Sequence, residues 1–239
     1  MKTKYLGNTT EKIPAIGIGT WEMQKSKESE EAIKYTVQNG GSLIDTAEIY
    51  GTEDLVGRSI KGIDRKSVFI VSKVWTNHLA HDACIKACDE SLKRLGTSYI
   101  DLYLVHWPSD SIEQFEEAQA SLKKNELVAN EIKLSVVSKQ QAMEFVDYAK
   151  KNKITVLAYS PLERGIGNIM RNQQVYSKLI ELASKYNKTP AQIALNWVIA
   201  HDPAVAIPKA SRLEHAKENL EAADFSLSDD EVKELDAIS

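Results

Sequence analysis

Asp45, Tyr50, Lys73 and His106 are the residues of this sequence best suited to proton chemistry. Each lies at or just beyond the end of an apolar run: Asp45 and Tyr50 in LIDTAEIYG (43–51), Lys73 in VSKVW (71–75) and His106 in DLYLVHWP (101–108). A phenol, with a pKa of about 10, gives up its proton poorly on its own. A nearby ammonium stabilises the phenolate, and a carboxylate keeps that ammonium charged and in place. An imidazole beside the phenol can share a hydrogen bond with a bound carbonyl oxygen. The set is therefore suited to protonating an oxygen as negative charge develops on it. It contains no activated serine or cysteine nucleophile and no metal cage. Singly, each residue has a plainer reading: a loop carboxylate, a rim phenol, a solvated cation, a satisfied core histidine. Their placement at successive strand ends is what favours the joint reading.

Seven continuous apolar runs supply those strand ends: 15–20, 42–47, 67–75, 99–106, 126–134, 154–160 and 204–211. Strands apolar on both faces belong to a parallel sheet covered by helices. Helical spacing fills the intervals; in DACIKACDESLKRLG, Cys84, Cys88, Leu92 and Leu95 share a face and Gly96 supplies the stop. Helix starts are marked by Ser111 with Gln114, Ser138 with Gln141, Thr189 with Gln192 and Ser228 with Glu231, each a candidate capping box, and Pro190 suits a first helical turn. Residues 3–13 read as a hairpin turning at Gly7-Asn8, and the charged run SDDEVKELDAIS reads as an amphipathic helix. Strand–helix alternation through one core predicts an α/β fold, a (β/α)8 TIM barrel with an N-terminal β-hairpin, whose functional groups sit on the C-terminal face. Such a barrel closes with eight strands, and this reading finds one fewer.

With 239 residues and 43% hydrophobic residues, the chain is read as a single domain spanning 1–239. A net charge of −4 recruits neither nucleic acid nor an anionic membrane. No apolar stretch approaches the roughly 20 residues of a membrane span, and the N-terminus has no apolar signal core. Cys84 and Cys88 read as small buried residues, and a cytoplasmic setting is expected. His78, His81 and His201 are expected on the solvated surface.

The stretches GIGTW (17–21), LIDTAEIYG (43–51), VSKVW (71–75), DLYLVHWP (101–108), VLAYSPL (156–162), TPAQIALNW (189–197) and IPKAS (207–211) resemble, in order, those of the aldo-keto reductases. That family consists of NADPH-dependent (β/α)8-barrel enzymes. The resemblance places its catalytic tetrad on Asp45, Tyr50, Lys73 and His106, with Tyr50 protonating a carbonyl oxygen as hydride arrives from the nicotinamide. It also implies cofactor contacts. Gly19 and Thr20 belong to GIGTW, and Asp45 lies near the cofactor. Tyr159 stacks on the nicotinamide, and Ser160, Leu162 and Gly165 cover the pyrophosphate. Lys209, Ser211 and Arg212 hold the 2′-phosphate, and Asn219 lies near the adenine. Cations at the 2′-phosphate favour NADPH, with NADH the other candidate. Trp21, Trp75 and Trp107, with His106, either line an apolar substrate pocket or simply pack.

Three positions depart from the family pattern. His215 replaces an Arg that packs on the adenine, and Glu131 replaces a Gln that bonds the carboxamide, where an ionised carboxylate can only accept. The third departure is a gap: HWPSD runs directly into SIEQFEEAQ, so one helix and one strand are missing near Asp110 and Ser111. Either this is a true deletion or the written sequence omits residues the molecule carries. Barrel closure needs a consistent strand count, which favours the second, so Asp110 and Ser111 are not expected to be covalent neighbours. The expected activity is reduction of aldehydes or ketones to alcohols, or the reverse. The alternatives are an NADPH-holding sensor or partner module on the same fold, and a Schiff-base lyase using Lys73. The expected partner is a small carbonyl substrate, and the oligomeric state stays open.

Overall fold

Gly7 and Asn8 make the expected turn, folding β1 (Thr3–Tyr5) back antiparallel on β2 (Lys12–Pro14). The structure, a computed structural model, describes residues 1–107 and 127–238. The chain divides into two compact units: one of Met1–Gly17, Val128–Lys209 and Lys217–Ser239, the other of the described part of Ile18–Leu127 with Ala210–Ala216.

In the second of these units β3 (Ile18–Gly19), β4 (Leu43–Asp45), β5 (Phe69–Val74) and β6 (Leu102–Val105) form a parallel sheet in chain order. Between them run α1 (Lys27–Gln38), α2 (Glu53–Ser59) and α3 (His81–Leu95). Every residue of β5 is buried, as a strand covered on both faces requires. The core gathers Ile18, Ile33, Ile44, Leu55, Val56, Ile70 and Leu95. Gly57 allows α2 to approach the end of α3 closely: a Cβ there would stand 2.5 Å from the Leu95 carbonyl oxygen. Gly96, at φ 64, stops α3 as the sequence predicts. Cys84 and Cys88 depart from expectation. They are free and only partly buried, because the buried seam of α3 runs through Ala87, Ser91 and Leu95.

In the other unit β7 (Ala129–Lys133), β8 (Thr155–Tyr159) and β9 (Ala204–Ala206) form a second parallel sheet, extended by a parallel bridge from Ile16 to Ala206. Its helices are α4 (Gln140–Asn152), α5 (Ile166–Ile169), α6 (Gln173–Tyr186) and α7 (Pro190–Ala200). They are followed along the chain by α8 (Leu213–Glu221) and α9 (Asp229–Ala237). The capping boxes at Thr189 and Ser228 form with both reciprocal bonds. The one at Ser138 does not. Helix α4 is capped by Lys139 without a side-chain bond, and the Ser138 hydroxyl instead receives the Lys133 ammonium at 3.2 Å. The box at Ser111 and Gln114, and the junction of Asp110 with Ser111, lie outside the described residues. His201 is not a solvated surface group: its ring packs 4.5 Å from that of Trp197, and its Nε2 lies 3.3 Å from Asp236. Among the described residues the parallel strands number seven, four in one sheet and three in the other, as the apolar runs predict.

Candidate active site

Strand register puts three of the four tetrad residues on one face of the sheet. Asp45 is paired with Val71, and Lys73 lies two residues further along β5, so both side chains point the same way. Lys73 is paired with Leu104, and His106 follows two residues later, its N–H bonded to the Val74 carbonyl at 2.9 Å. Gly19 pairs with Asp45 and presents no side chain beside the carboxylate.

The buried centre is an ion pair. Lys73 and Asp45 are each nearly inaccessible, at 2% and 3% exposure, and Lys73 Nζ donates to Asp45 Oδ1 at 2.5 Å. The ammonium also donates to the Thr46 carbonyl at 3.0 Å. Burial pushes the Asp45 carboxyl up from its ordinary value, against the pull of the Lys73 charge. A buried charge pair of this kind is tolerable only with further hydrogen bonds to satisfy it.

Tyr50 reaches this centre through a 3-10 turn, Glu48–Tyr50, closed by Gly51 at φ 65. Its hydroxyl lies 3.5 Å from Lys73 Nζ, a long contact in which the charge matters more than the hydrogen bond. The His106 ring meets Tyr50 edge-on at 5.2 Å and Trp75 edge-on at 5.1 Å, and stacks on Trp107 at 5.9 Å. Burial, then the Lys73 charge, lower the pKa of His106 to about 4, so the imidazole is neutral at physiological pH. Its Nδ1 is buried with no hydrogen-bond partner among the described residues. Trp107 is 49% exposed, and Trp21, just beyond β3, is 37% exposed.

Several supporting roles leave no signature in the sequence, including that of Thr20, which the sequence marks only as a cofactor position. Thr20 donates both its N–H and its hydroxyl to the Asp45 carbonyl, each at 3.0 Å. Its oxygen is also 2.9 Å from the Thr52 hydroxyl, which in turn is 3.1 Å from that of Thr46. Thr52 makes no capping bond to α2. Instead its hydroxyl ties the end of β3 to the loop after β4. Glu53, fully buried, accepts from Ser72 at 2.6 Å and Arg94 at 2.7 Å. Glu48 accepts the Trp75 N–H and lies 3.1 Å from His78 Nδ1. The residue types were visible; the partners, on other strands, were not.

The positions expected to contact a cofactor fall in both units. Gly19 and Thr20 are buried at the end of β3, and Thr20's hydroxyl serves the loop after β4. Ser211, Arg212 and His215 lie in the same unit as these, with Arg212 Nη2 against His215 Nε2 and both side chains exposed. The other unit holds Glu131, half-buried on β7, exposed Lys209 and buried Asn219. It also holds Tyr159, Ser160, Leu162 and Gly165. In the loop after β8, Ser160, Glu163 and Arg164 are left-handed at φ 49, 52 and 63, and Gly165 is at φ 140. Glu163 fastens this loop through Lys133 at 2.8 Å and Ser135 at 2.6 Å.

The sequence model of the Aldo/keto reductase family matches residues 15–124 and 109–239. The chain belongs to the aldo/keto reductase family. It is 32% identical over 255 residues to a glyoxal reductase of Bacillus subtilis, an alignment covering 95% of this chain and 89% of that one. It is 31% identical over 261 residues to the methylglyoxal reductase YeaE of Escherichia coli, covering 94% and 90%. An aldo-keto reductase of Klebsiella pneumoniae, crystallised with NADPH, superposes with a TM-score of 0.82 at 30% identity, covering 99% and 94%. The fold class of this oxidoreductase is accordingly the (β/α)8 barrel. Both alignments with the curated reductases are longer than the 239-residue chain, so those relatives carry residues without a counterpart here. The two matched stretches of the family model overlap at 109–124, where the sequence reading finds a strand and a helix missing.

Proposed function

We propose that this aldo/keto reductase reduces small aldehydes and 2-oxoaldehydes of the glyoxal type, with NADPH as hydride donor and Tyr50 as general acid. The observation that carries the reading is the inaccessible Lys73–Asp45 pair beside the Tyr50 hydroxyl, with a neutral His106 at its edge. This donor set can hold and move a proton but stores no electrons, so it fits a site completed by a reduced nicotinamide. That group, when bound, supplies the hydride to the carbonyl carbon.

The chain's own residues do the rest. His106, uncharged, orients the carbonyl oxygen without competing as an acid. Tyr50 delivers its proton to that oxygen, and the Lys73 ammonium stabilises the phenolate left behind. Asp45 keeps Lys73 charged, which also makes it a poor amine nucleophile and disfavours Schiff-base chemistry. Ser160, Leu162, Gly165, Tyr159, Glu131 and Asn219 are proposed as dinucleotide contacts, with Gly19 and Thr20. Exposed Lys209 and Arg212, with half-buried Ser211, are proposed to recognise the 2′-phosphate, and exposed His215 to lie against the adenine. Trp21, Trp75 and Trp107 offer apolar surface to the substrate. The chemistry of the relatives, which are named for glyoxal and methylglyoxal, supports the small-carbonyl assignment.

The test follows nicotinamide absorbance with methylglyoxal. Tyr50→Phe is expected to lower kcat by about 10²–10⁴-fold while NADPH binding, read by fluorescence, persists. Tight NADPH retention by a wild-type protein that turns over no carbonyl would favour the binding-module reading instead.

A further inference from the structure

Glu48 stands two residues before the phenol, inside the same 3-10 turn, and its carboxylate faces the loop after the neighbouring strand. There it accepts the backbone N–H of Trp75 and lies 3.1 and 3.3 Å from His78 Nδ1. Its side chain is 10% exposed, whereas His78 is 44% exposed, so the amide is the sheltered half of the contact. Trp75 in turn sets its ring 5.1 Å from that of His106, the two planes nearly perpendicular, and Tyr50 abuts the same imidazole at 5.2 Å. One carboxylate therefore links the loop carrying the phenol to the loop carrying the ring that backs the histidine. A charge-assisted bond to a backbone N–H is among the stronger hydrogen bonds available.

We propose that Glu48 is a positioning residue: by fixing Trp75 against His106 it sets the attitude of the imidazole toward the carbonyl that Tyr50 protonates. The proposal rests on the reading of the tetrad given above. It makes Glu48 act through Trp75 rather than by touching substrate. Gln at this position keeps an oxygen for the Trp75 amide; Ala keeps nothing.

The experiment is a double-mutant cycle on the full chain, with kcat and KM for methylglyoxal and NADPH affinity by fluorescence. Glu48→Ala is expected to lower kcat about 10- to 100-fold, the scale of a small misplacement at a reacting centre, with NADPH affinity unchanged. Glu48→Gln recovers most of that loss. In a Trp75→Ala background, Glu48→Ala costs less than about twofold, because the ring it places is gone. A Glu48→Ala kcat within twofold of wild type, or a loss that multiplies in full with that of Trp75→Ala, overturns the proposal. Should Glu48→Ala fail to fold, Glu48→Asp, which withdraws the carboxylate by one methylene, must show the same non-additivity. Wild-type protein without turnover sinks both readings. An active wild type with a dead Tyr50→Phe and an undiminished Glu48→Ala sinks this one alone.

Discussion

The loops after β4 and after β8 carry much of the candidate chemistry and are held in opposite ways. Residues 46–52 are fastened from within: the hydroxyls of Thr20, Thr46 and Thr52 form a buried chain, and only Gly51 takes a left-handed backbone. Residues 160–165 put three side-chain-bearing residues, Ser160, Glu163 and Arg164, into that region, each at a cost on the order of 1 kcal/mol. They are held by two backbone bonds inside the loop, Glu163 N–H to the Ser160 carbonyl at 2.9 Å and Gly165 N–H to the Leu162 carbonyl at 2.8 Å, and by the Glu163 carboxylate, through Lys133 and Ser135, with the Asn168 side chain on the Glu163 carbonyl at 2.7 Å. Lys133 is 43% exposed, so its ion pair with Glu163 is partly screened. Reacting groups need a fixed frame. A segment proposed to admit and release a dinucleotide can carry such strain and rest on a partly exposed ion pair, since it would order and loosen as the dinucleotide comes and goes.

Three substitutions probe that contrast. Lys73→Met leaves the Asp45 carboxylate buried without its partner and is expected to cost about 3–5 kcal/mol at neutral pH, read by urea unfolding, as well as abolishing turnover. Thr52→Val removes the hydroxyl that joins Thr20 to Thr46, and an expected loss of about 1–3 kcal/mol should be accompanied by a lower kcat. Glu163→Ala should be the mildest in stability, about 1 kcal/mol, yet weaken NADPH binding more than Thr52→Val does. Were Thr52→Val to disturb NADPH binding and Glu163→Ala to spare it, the contrast between the loops would be wrong. Acid offers a second handle on Glu163. Burial pushes its carboxyl up, but hydrogen bonds from Lys133, Ser135 and Ser138 outweigh this and hold it below its usual value of 4.5. Because the folded value is depressed, the stabilisation it confers is present above pH 4.5 and disappears as pH falls through the folded value.

Backbone architecture was largely legible in the sequence; the side-chain frame was not. All seven apolar runs contain a parallel strand, and register then follows from pleat and pairing, which is why Asp45, Lys73 and His106 could be placed on one rim. The errors have local causes. By residue type Cys84 and Cys88 suit the buried seam, since sulfur is apolar, whereas Ser91, polar by type, is the residue that hides, in contact with Arg94. Ser138 carried the spacing of a capping box, but Lys133, five residues upstream, claims its hydroxyl. His201 reads as surface from its sequence neighbours because Trp197 and Asp236, which enclose it, lie on another turn and another helix. Glu48 and Thr52 were invisible as supports for the same reason: a contact across strands leaves no pattern along the chain.

Among the described residues nothing bonds the buried Nδ1 of His106, which bears on where the ring keeps its one hydrogen. A buried N–H with nothing to receive it is worse than a buried lone pair with nothing to give to it. Among the described residues, that balance favours the hydrogen on Nε2. In the mechanism proposed above, such a ring would meet an incoming oxygen already as a donor, without needing to reshuffle its hydrogen first.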